Sequence, residues 1–461
     1  MLACVASMAG ELLQGGGASR MVRLQIIVFL FSLAIFLISP VVQVSDSRYS
    51  ALLSECLLHH GSPELDEYYK VPVPWLTGDA GRPDEANEYQ LVKARGHVTY
   101  FFGHGSSMLS MPLVAVMNAA GVSAATPDGR LNLVGEIRIE RVIASVLMAA
   151  LTCVFLAMAA MMLPMTWSIV VAIGAALGTQ ILSTASRGLW AHTWEIFLLG
   201  LIAYSLLSSA NRAVRIHPVL LATLVAWTYY VRPTGSIAIV AVTIYVWWMH
   251  RGEFIAYTAT LGGWLAAFVI YNWSVFGTIV PPYYMASRLR LDDFFVALYG
   301  NLLSPGRGLL AFVPTTLFVI YLVVRYRKYF AHRQLAILAF AQIIALEMLM
   351  ATNRYWSAGY CYGPRLFTDA IPWLVLLAIL GLDAMRRAPV PSHHRTEIAA
   401  AIFLLVVSVA INARGAWSLE VLDWNLTEAV LYSNGLFDWR YPQFMAGLIA
   451  PPKDYRAKLG R

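Results

Sequence analysis

Charge is scarce in this chain: 13% of its 461 residues are Asp, Glu, Lys or Arg, about half the share of an ordinary soluble domain. A surface so poor in charge excludes a soluble multidomain enzyme. Cysteine is scarce as well, with Cys4, Cys56, Cys153 and Cys361 alone and no Cys-x-x-Cys pair. That spacing excludes a zinc ribbon and a dense disulfide framework, leaving at most one bridge between Cys56 and Cys361, which are expected on the same side of a membrane. There is no internal repeat, no low-complexity tract, and no Gly-rich fingerprint between a strand and a helix, so nothing points to a bound nucleotide.

What is abundant is apolar: 59% of residues are hydrophobic. A helix crosses the hydrocarbon core with about 20 such residues. Apolar runs and the charges that punctuate them predict an all-α polytopic membrane protein of about eleven spans, near 24–43, 141–163, 166–184, 189–209, 217–231, 235–249, 254–273, 309–324, 334–352, 367–383 and 396–412. Pro233 forbids a continuous helix through the fifth and sixth. The first twenty residues have no basic stretch ahead of an apolar core, so they read as a tail, or as sequence upstream of a start at Met21, rather than a cleavable signal.

The net charge of +7 is spread over short inter-helix clusters, which argues for topology and against nucleic acid. Arg20, Arg23, Arg212, Arg215, Arg251, Arg325, Arg327, Lys328, Arg333, Arg386, Arg387 and Arg395 fall in alternate loops. The positive-inside rule then makes 1–23 a cytoplasmic tail and puts the first long loop, 44–140, outside. The segments around 274–308 and 353–366 follow it, as does a tail from 413 to 461, despite Lys453, Arg456, Lys458 and Arg461 near its end. Within 44–140, "YFFGHGSSMLSMPLVAVMNAAGV" is too short to span and reads as a helix lying along the bilayer surface.

The outer loops repeat one local pattern, in "SDSRY", "SRGLWAHTWE", "VRPTG", "SPGRG" and "YGPR". Each sets an Arg near small or turn-forming residues, where backbone approaches a ligand closely, and Arg is suited to a phosphate because its planar donors engage two oxygens. Singly, each Arg reads equally as an interfacial side chain with its charge in water. Asp46 stands at the membrane surface after the first span, placed either to pair with Arg48 and cap the next helix or to act as a general base. Tyr355, Trp356, Tyr360 and Tyr362 form an interfacial belt, interleaved with Gly359 and Gly363 as a ring platform would be. His59, His60, His97 and His104 match no strong metal-ligand spacing, so no cofactor is expected and metal dependence is left open.

The motifs "SDSRYSALLSECLLHHGS", "SRGLWAHTWEIFLLG", "VRPTGSI", "YNWSVFGTIVPPYY", "LLSPGRGLLAFVP" and "GYCYGPRLFTDAIPWL", in this order over residues 24 to 385, resemble the GT-C glycosyltransferases. The similarity is to the bacterial mannosyltransferase-like branch related to protein O-mannosyltransferases and aminoarabinose transferases. The resemblance implies a GT-C-like fold over 24–412 and an inverting hexosyl- or pentosyltransferase of the cell envelope, in a bacterial inner membrane. Its donor would be a polyprenyl-phosphate sugar, and its acceptor a glycan, lipid or protein hydroxyl. It also implies Asp46 as base, Arg187, His192, Arg232, Arg307 and Arg365 around the donor phosphate, and Arg48, Tyr49 and Tyr362 at the substrate. The family's adjacent acidic pair before the Tyr is here a single Asp46. From another class, a transporter or flippase of lipid-linked sugars is the alternative, with polar residues lining a pathway rather than gathered at one face.

Overall fold

The structure is a computed structural model and describes residues 16–68, 89–212, 215–389, 394–426 and 434–452. Cys4, Lys453, Arg456, Lys458 and Arg461 lie outside the described residues. The chain is mostly helical. In order, α1 is Gly16–Ile38 and α2 Ser50–His60; a hairpin of β1 (Leu91–Ala94) and β2 (His97–Tyr100) precedes α3, Gly105–Ala119. Then come α4 (Leu133–Ala160), α5 (Met165–Leu177), α6 (Ala191–Arg212), α7 (Pro218–Val231), α8 (Gly235–Met249) and α9 (Phe254–Phe276). The remainder is α10 (Phe294–Leu303), α11 (Leu309–Phe312), α12 (Thr315–Tyr326), α13 (Arg333–Ala351), α14 (Ile371–Arg387), α15 (His394–Trp417) and α16 (Glu420–Asp423).

Among the described residues seven helices are long and apolar enough to cross a membrane: Ser19–Ile38, Leu133–Ala160, Ala191–Arg212, Phe254–Phe276, Arg333–Ala351, Arg365–Arg387 and His394–Trp417. Their outward faces carry exposed Ile26, Leu30 and Phe31 on α1, Ile255 and Ile270 on α9, and Phe403 and Val406 on α15. Water would penalise that much bare hydrocarbon; lipid does not. The chain is a membrane protein, and α4, packed against α1, α5 and α6, lies within its interior.

Proline places the breaks. Arg232 takes extended backbone, φ −151° and ψ 150°, as the residue before Pro233 should, and this ends α7 one residue earlier. The expected span 309–324 is divided at Val313 and Pro314 into α11 and α12. The segment Arg365–Ala370 forms a 3-10 turn that leads into α14, with Pro372 in its first turn. The first loop is richer than surface helices alone: β1 and β2 pair antiparallel around Arg95 and Gly96, both at positive φ (51° and 93°), the twist a two-residue hairpin turn requires.

Two expectations change. Cys56 and Cys361 are free buried thiols, so no bridge joins them. The stretch after 412 is built into the fold: α15 continues to Trp417, and Trp424, Asn425 and Gln443 are buried.

Candidate active site

Polar side chains gather at one end of the helix bundle from the segment after α1, the starts of α2, α3 and α6, the end of β2, the break between α7 and α8, the segment after α9, and the turn before α14. They meet in a cleft lined by Asp46, Trp190, His192, Arg232, Tyr283 and Arg365 among others. Its volume is about 30 Å³, room for about two water molecules. A sugar enters only if the walls part.

Asp46 reaches the cleft because the chain beyond α1 is tied down along its length. The Gln43 amide N–H donates to Arg187 O (2.8 Å), and its side-chain Nε2 to Ser183 O (2.8 Å). Ser47 Oγ donates to Glu140 Oε2 (2.7 Å), and the Ala51 N–H, in the first turn of α2, to Glu136 Oε1 (3.1 Å). From the hairpin side, Tyr100 OH donates to the backbone carbonyl of Asp46, and Gln90 Nε2 to Ser45 O (2.9 Å).

The Asp46 carboxylate is engaged twice, by Arg365 Nη1 at 2.9 Å and by Tyr89 OH at 2.8 Å. Desolvation, followed by the Asp46 charge, pushes the Tyr89 and Tyr100 hydroxyls upward, so both stay protonated donors. The partner of Asp46 is therefore Arg365 rather than Arg48. Arg365 lies 4.3 Å from the Trp190 ring centroid, a cation–π contact.

Deeper in the wall, Asp369 gathers three donors. His192 Nδ1 lies 2.8 Å from Oδ1; Thr234 Oγ1 (3.1 Å) and Arg232 Nε (3.4 Å) reach Oδ2. Arg232 Nε also donates to Thr234 Oγ1 (3.2 Å). Three donors of the cleft wall, Arg365 Nε, Trp190 Nε1 and Ser106 Oγ, are buried with no hydrogen-bond partner among the described residues. Orphaned buried donors are costly and mark a place for acceptor oxygens.

The structure thus brings together Asp46, His192, Arg232 and Arg365. It does not bring the other expected residues to the cleft wall. Arg307 is fully occupied: Ser357 O, Gly306 O, Gln443 Oε1, Gly359 O and Asn425 Oδ1 take its five N–H donors. Its charge fastens the 357–363 loop to the chain after α15 and is not offered to a ligand. Arg187 ties Phe36 O (2.7 Å) and Ser186 Oγ, joining the end of α1 to the turn before α6. Tyr362 is buried edge-on against Phe312 and donates to Ile411 O at 2.6 Å, so it braces α15. Tyr49 is buried at φ 75° ahead of α2, with Arg48 5.3 Å from its ring. Asp369, Tyr89, Tyr100, Trp190 and Ser106 enter the site unforeseen. Of these Asp369 alone carried a signal, a carboxylate at the head of an apolar span.

Among the described residues one group could hold a cation. Glu64, Asp66 and His97 have ligand atoms within 4.8 Å of one another, all exposed on the first loop. None of the three lines the cleft. A second cavity, of about 320 Å³, is an apolar groove between α5, α12, α14 and α15, lined by Trp167, Val170, Val319, Leu374, Ala378 and Leu405 among others.

No protein-family model matches the chain, and no curated protein matches it.

Proposed function

We propose that the protein is an integral membrane glycosyltransferase of the GT-C type, which moves a sugar from a polyprenyl-phosphate donor to an acceptor hydroxyl at the extracytoplasmic face. The observation that carries this reading is the cleft wall: Arg232, Arg365 with its orphaned Nε, and the orphaned donors Trp190 Nε1 and Ser106 Oγ surround one small cavity. A phosphate supplies the acceptor oxygens those donors lack, and two guanidiniums suit a leaving group that gains charge as the glycosidic bond breaks. The apolar groove supports a lipid-linked donor. Its lining residues Ile371 and Leu374 follow Asp369 by two and five positions on the same segment, so one stretch of chain contributes to both the groove and the cleft wall.

In the reaction the acceptor oxygen bonds to the anomeric carbon, the carbon–oxygen bond to the phosphate breaks, and the phosphate leaves on Arg232 and Arg365. The cleft as it stands is balanced, two arginines against Asp46 and Asp369. A donor phosphate therefore enters by ion-pair exchange, taking Arg365 over from Asp46. The resemblance implies Asp46, released in that exchange, as the acceptor of the hydroxyl proton; His192, which also lines the cleft, is the other group that can take it.

Purified protein in lipid nanodiscs, given polyprenyl-phosphate-linked radiolabelled mannose and an oligosaccharide acceptor, is expected to transfer label. Asp46→Asn should lower the rate; an undiminished rate removes Asp46 as base. Movement of the intact donor across a sealed bilayer without transfer would instead establish the transporter.

A further inference from the structure

His192 was expected beside the donor phosphate, yet its hydrogen bonding fits another task. Its Nδ1 faces a carboxylate oxygen of Asp369 at 2.8 Å, with side-chain exposures of 2% and 3%. The other oxygen of Asp369 is held by Thr234 and Arg232. Two donors fix that carboxylate as an acceptor, so the proton in the contact belongs to His192 Nδ1. A neutral ring that carries its proton on Nδ1 presents a lone pair at Nε2. Among the described residues no protein group bonds Nε2, and His192 lines the cleft. A lone pair repels a phosphate oxygen and attracts a hydroxyl proton.

We propose that His192 is the general base of this cleft and Asp369 its positioning residue. The inference rests on the glycosyltransferase reading and deepens it. Asp46 is committed to Arg365 and Tyr89 in the same structure, and a carboxylate stabilised by a guanidinium is a weakened base. Release of Arg365 to the donor phosphate still leaves Asp46 bonded to Tyr89, whereas His192 Nε2 has no protein partner among the described residues. In the step, the acceptor O–H proton passes to Nε2 as the oxygen bonds to the anomeric carbon, and the electron pair of the breaking bond leaves with the lipid phosphate. The ring is then an imidazolium between Asp369 and the phosphate, both anionic, and returns its proton to solvent once the product has left.

The titratable and charged groups around the ring are Asp369 on the turn before α14, Arg232 at the α7–α8 break, Glu195 one turn on along α6, and Arg365 and Asp46 across the cleft. Asp369 favours the imidazolium formed in the step, and the two arginines oppose its forming before a phosphate neutralises them. Donor first, acceptor second is the order this field imposes.

The test pairs kinetics with spectroscopy on the full chain in nanodiscs, using polyprenyl-phosphate-linked radiolabelled mannose and an oligosaccharide acceptor. His192→Gln should lower kcat by about 10²- to 10⁴-fold and abolish the acid limb of the rate profile that one imidazole produces. Asp46→Asn should retain that acid limb. Asp369→Asn, whose unfolding midpoint is recorded alongside, should lower kcat more than it raises KM. Nitrogen-15 spectra of histidine-labelled protein, with His192→Gln assigning the resonance among 10 histidines, should show the proton on Nδ1 in wild type and a mixture of tautomers in Asp369→Asn. A wild-type proton on Nε2, or an acid limb that survives in His192→Gln, overturns the dyad while transfer itself stands. No transfer by wild type overturns the glycosyltransferase reading and the base with it.

Discussion

Arg307 and Arg365 show how little the residue type says alone. Both follow a small or turn-forming residue, both are buried, and both belong to motifs of the same kind. Arg307 spends all five donors on protein oxygens, whereas Arg365 has one ion pair, one ring and an orphaned Nε. Substituting Gln should separate them. Arg307→Gln strands several buried carbonyls and is expected to cost about 3 kcal/mol or more, seen as a lower unfolding midpoint with an unchanged KM for donor. Arg365→Gln should fold and lose about 10²- to 10³-fold in kcat/KM. Equal thermal loss in the two variants would return Arg365 to a structural role. The sequence could propose both arginines but could not choose between them. The partners that occupy Arg307, Asn425 and Gln443, lie over a hundred positions away, and no local pattern announces them. Asp369 was legible as an ionisable residue in an apolar run; that it faces His192 was not.

At the scale of elements the readable part was what hydropathy records locally. Each of the eleven expected spans falls on a helix or helix pair, with Pro233 and Pro314 at breaks, but among the described residues seven helices are long and apolar enough to cross. Three elements escaped, one of them the short α16 in the expected tail. The helix Phe294–Leu303 has ten residues, too few to register as a span, and the hairpin turns on Arg95-Gly96 without the Asn-Gly or Asp-Gly signal. The missed hairpin matters, since Tyr89 and Tyr100 reach Asp46 from its two ends. His104, the residue before α3, belongs to the same region. It is buried, with Nε2 donating to Tyr100 O (2.9 Å) and Tyr271 OH donating to Nδ1 (2.7 Å), and burial lowers its pKa from 6.5 to about 4. The folded value is depressed for a base, so between these values the unfolded chain binds the extra proton. Stability is full above pH 6.5 and falls as pH drops towards 4, by about 3 kcal/mol at about 1.4 kcal/mol per unit. His104→Gln, which keeps a donor and an acceptor, should flatten the midpoint of thermal unfolding across that window. An unchanged slope would place the titration elsewhere.

At the scale of the whole molecule, the candidate cleft draws its polar side chains from helix ends and breaks, while the exposed faces of α1, α9 and α15 are apolar. The groove between α5, α12, α14 and α15 is the largest consequence of that arrangement, because no single helix makes it and no single stretch of sequence foretells it. If the donor's tail lies there, narrowing the groove should affect donors according to chain length. Ala378, on α14, lines it with Leu374 and Leu382 on the same helix. Ala378→Trp places a large ring in the path at a position whose side chain is one methyl. A long-chain polyprenyl donor then loses the buried area of several methylenes, each worth about 0.8 kcal/mol, so its KM should rise by about tenfold or more. A donor with one or two isoprene units does not reach that far and should keep its KM and kcat. Equal losses for short and long donors would mean that the substitution disturbs the bundle. No loss for either would put the tail on another face and leave the groove to bulk lipid.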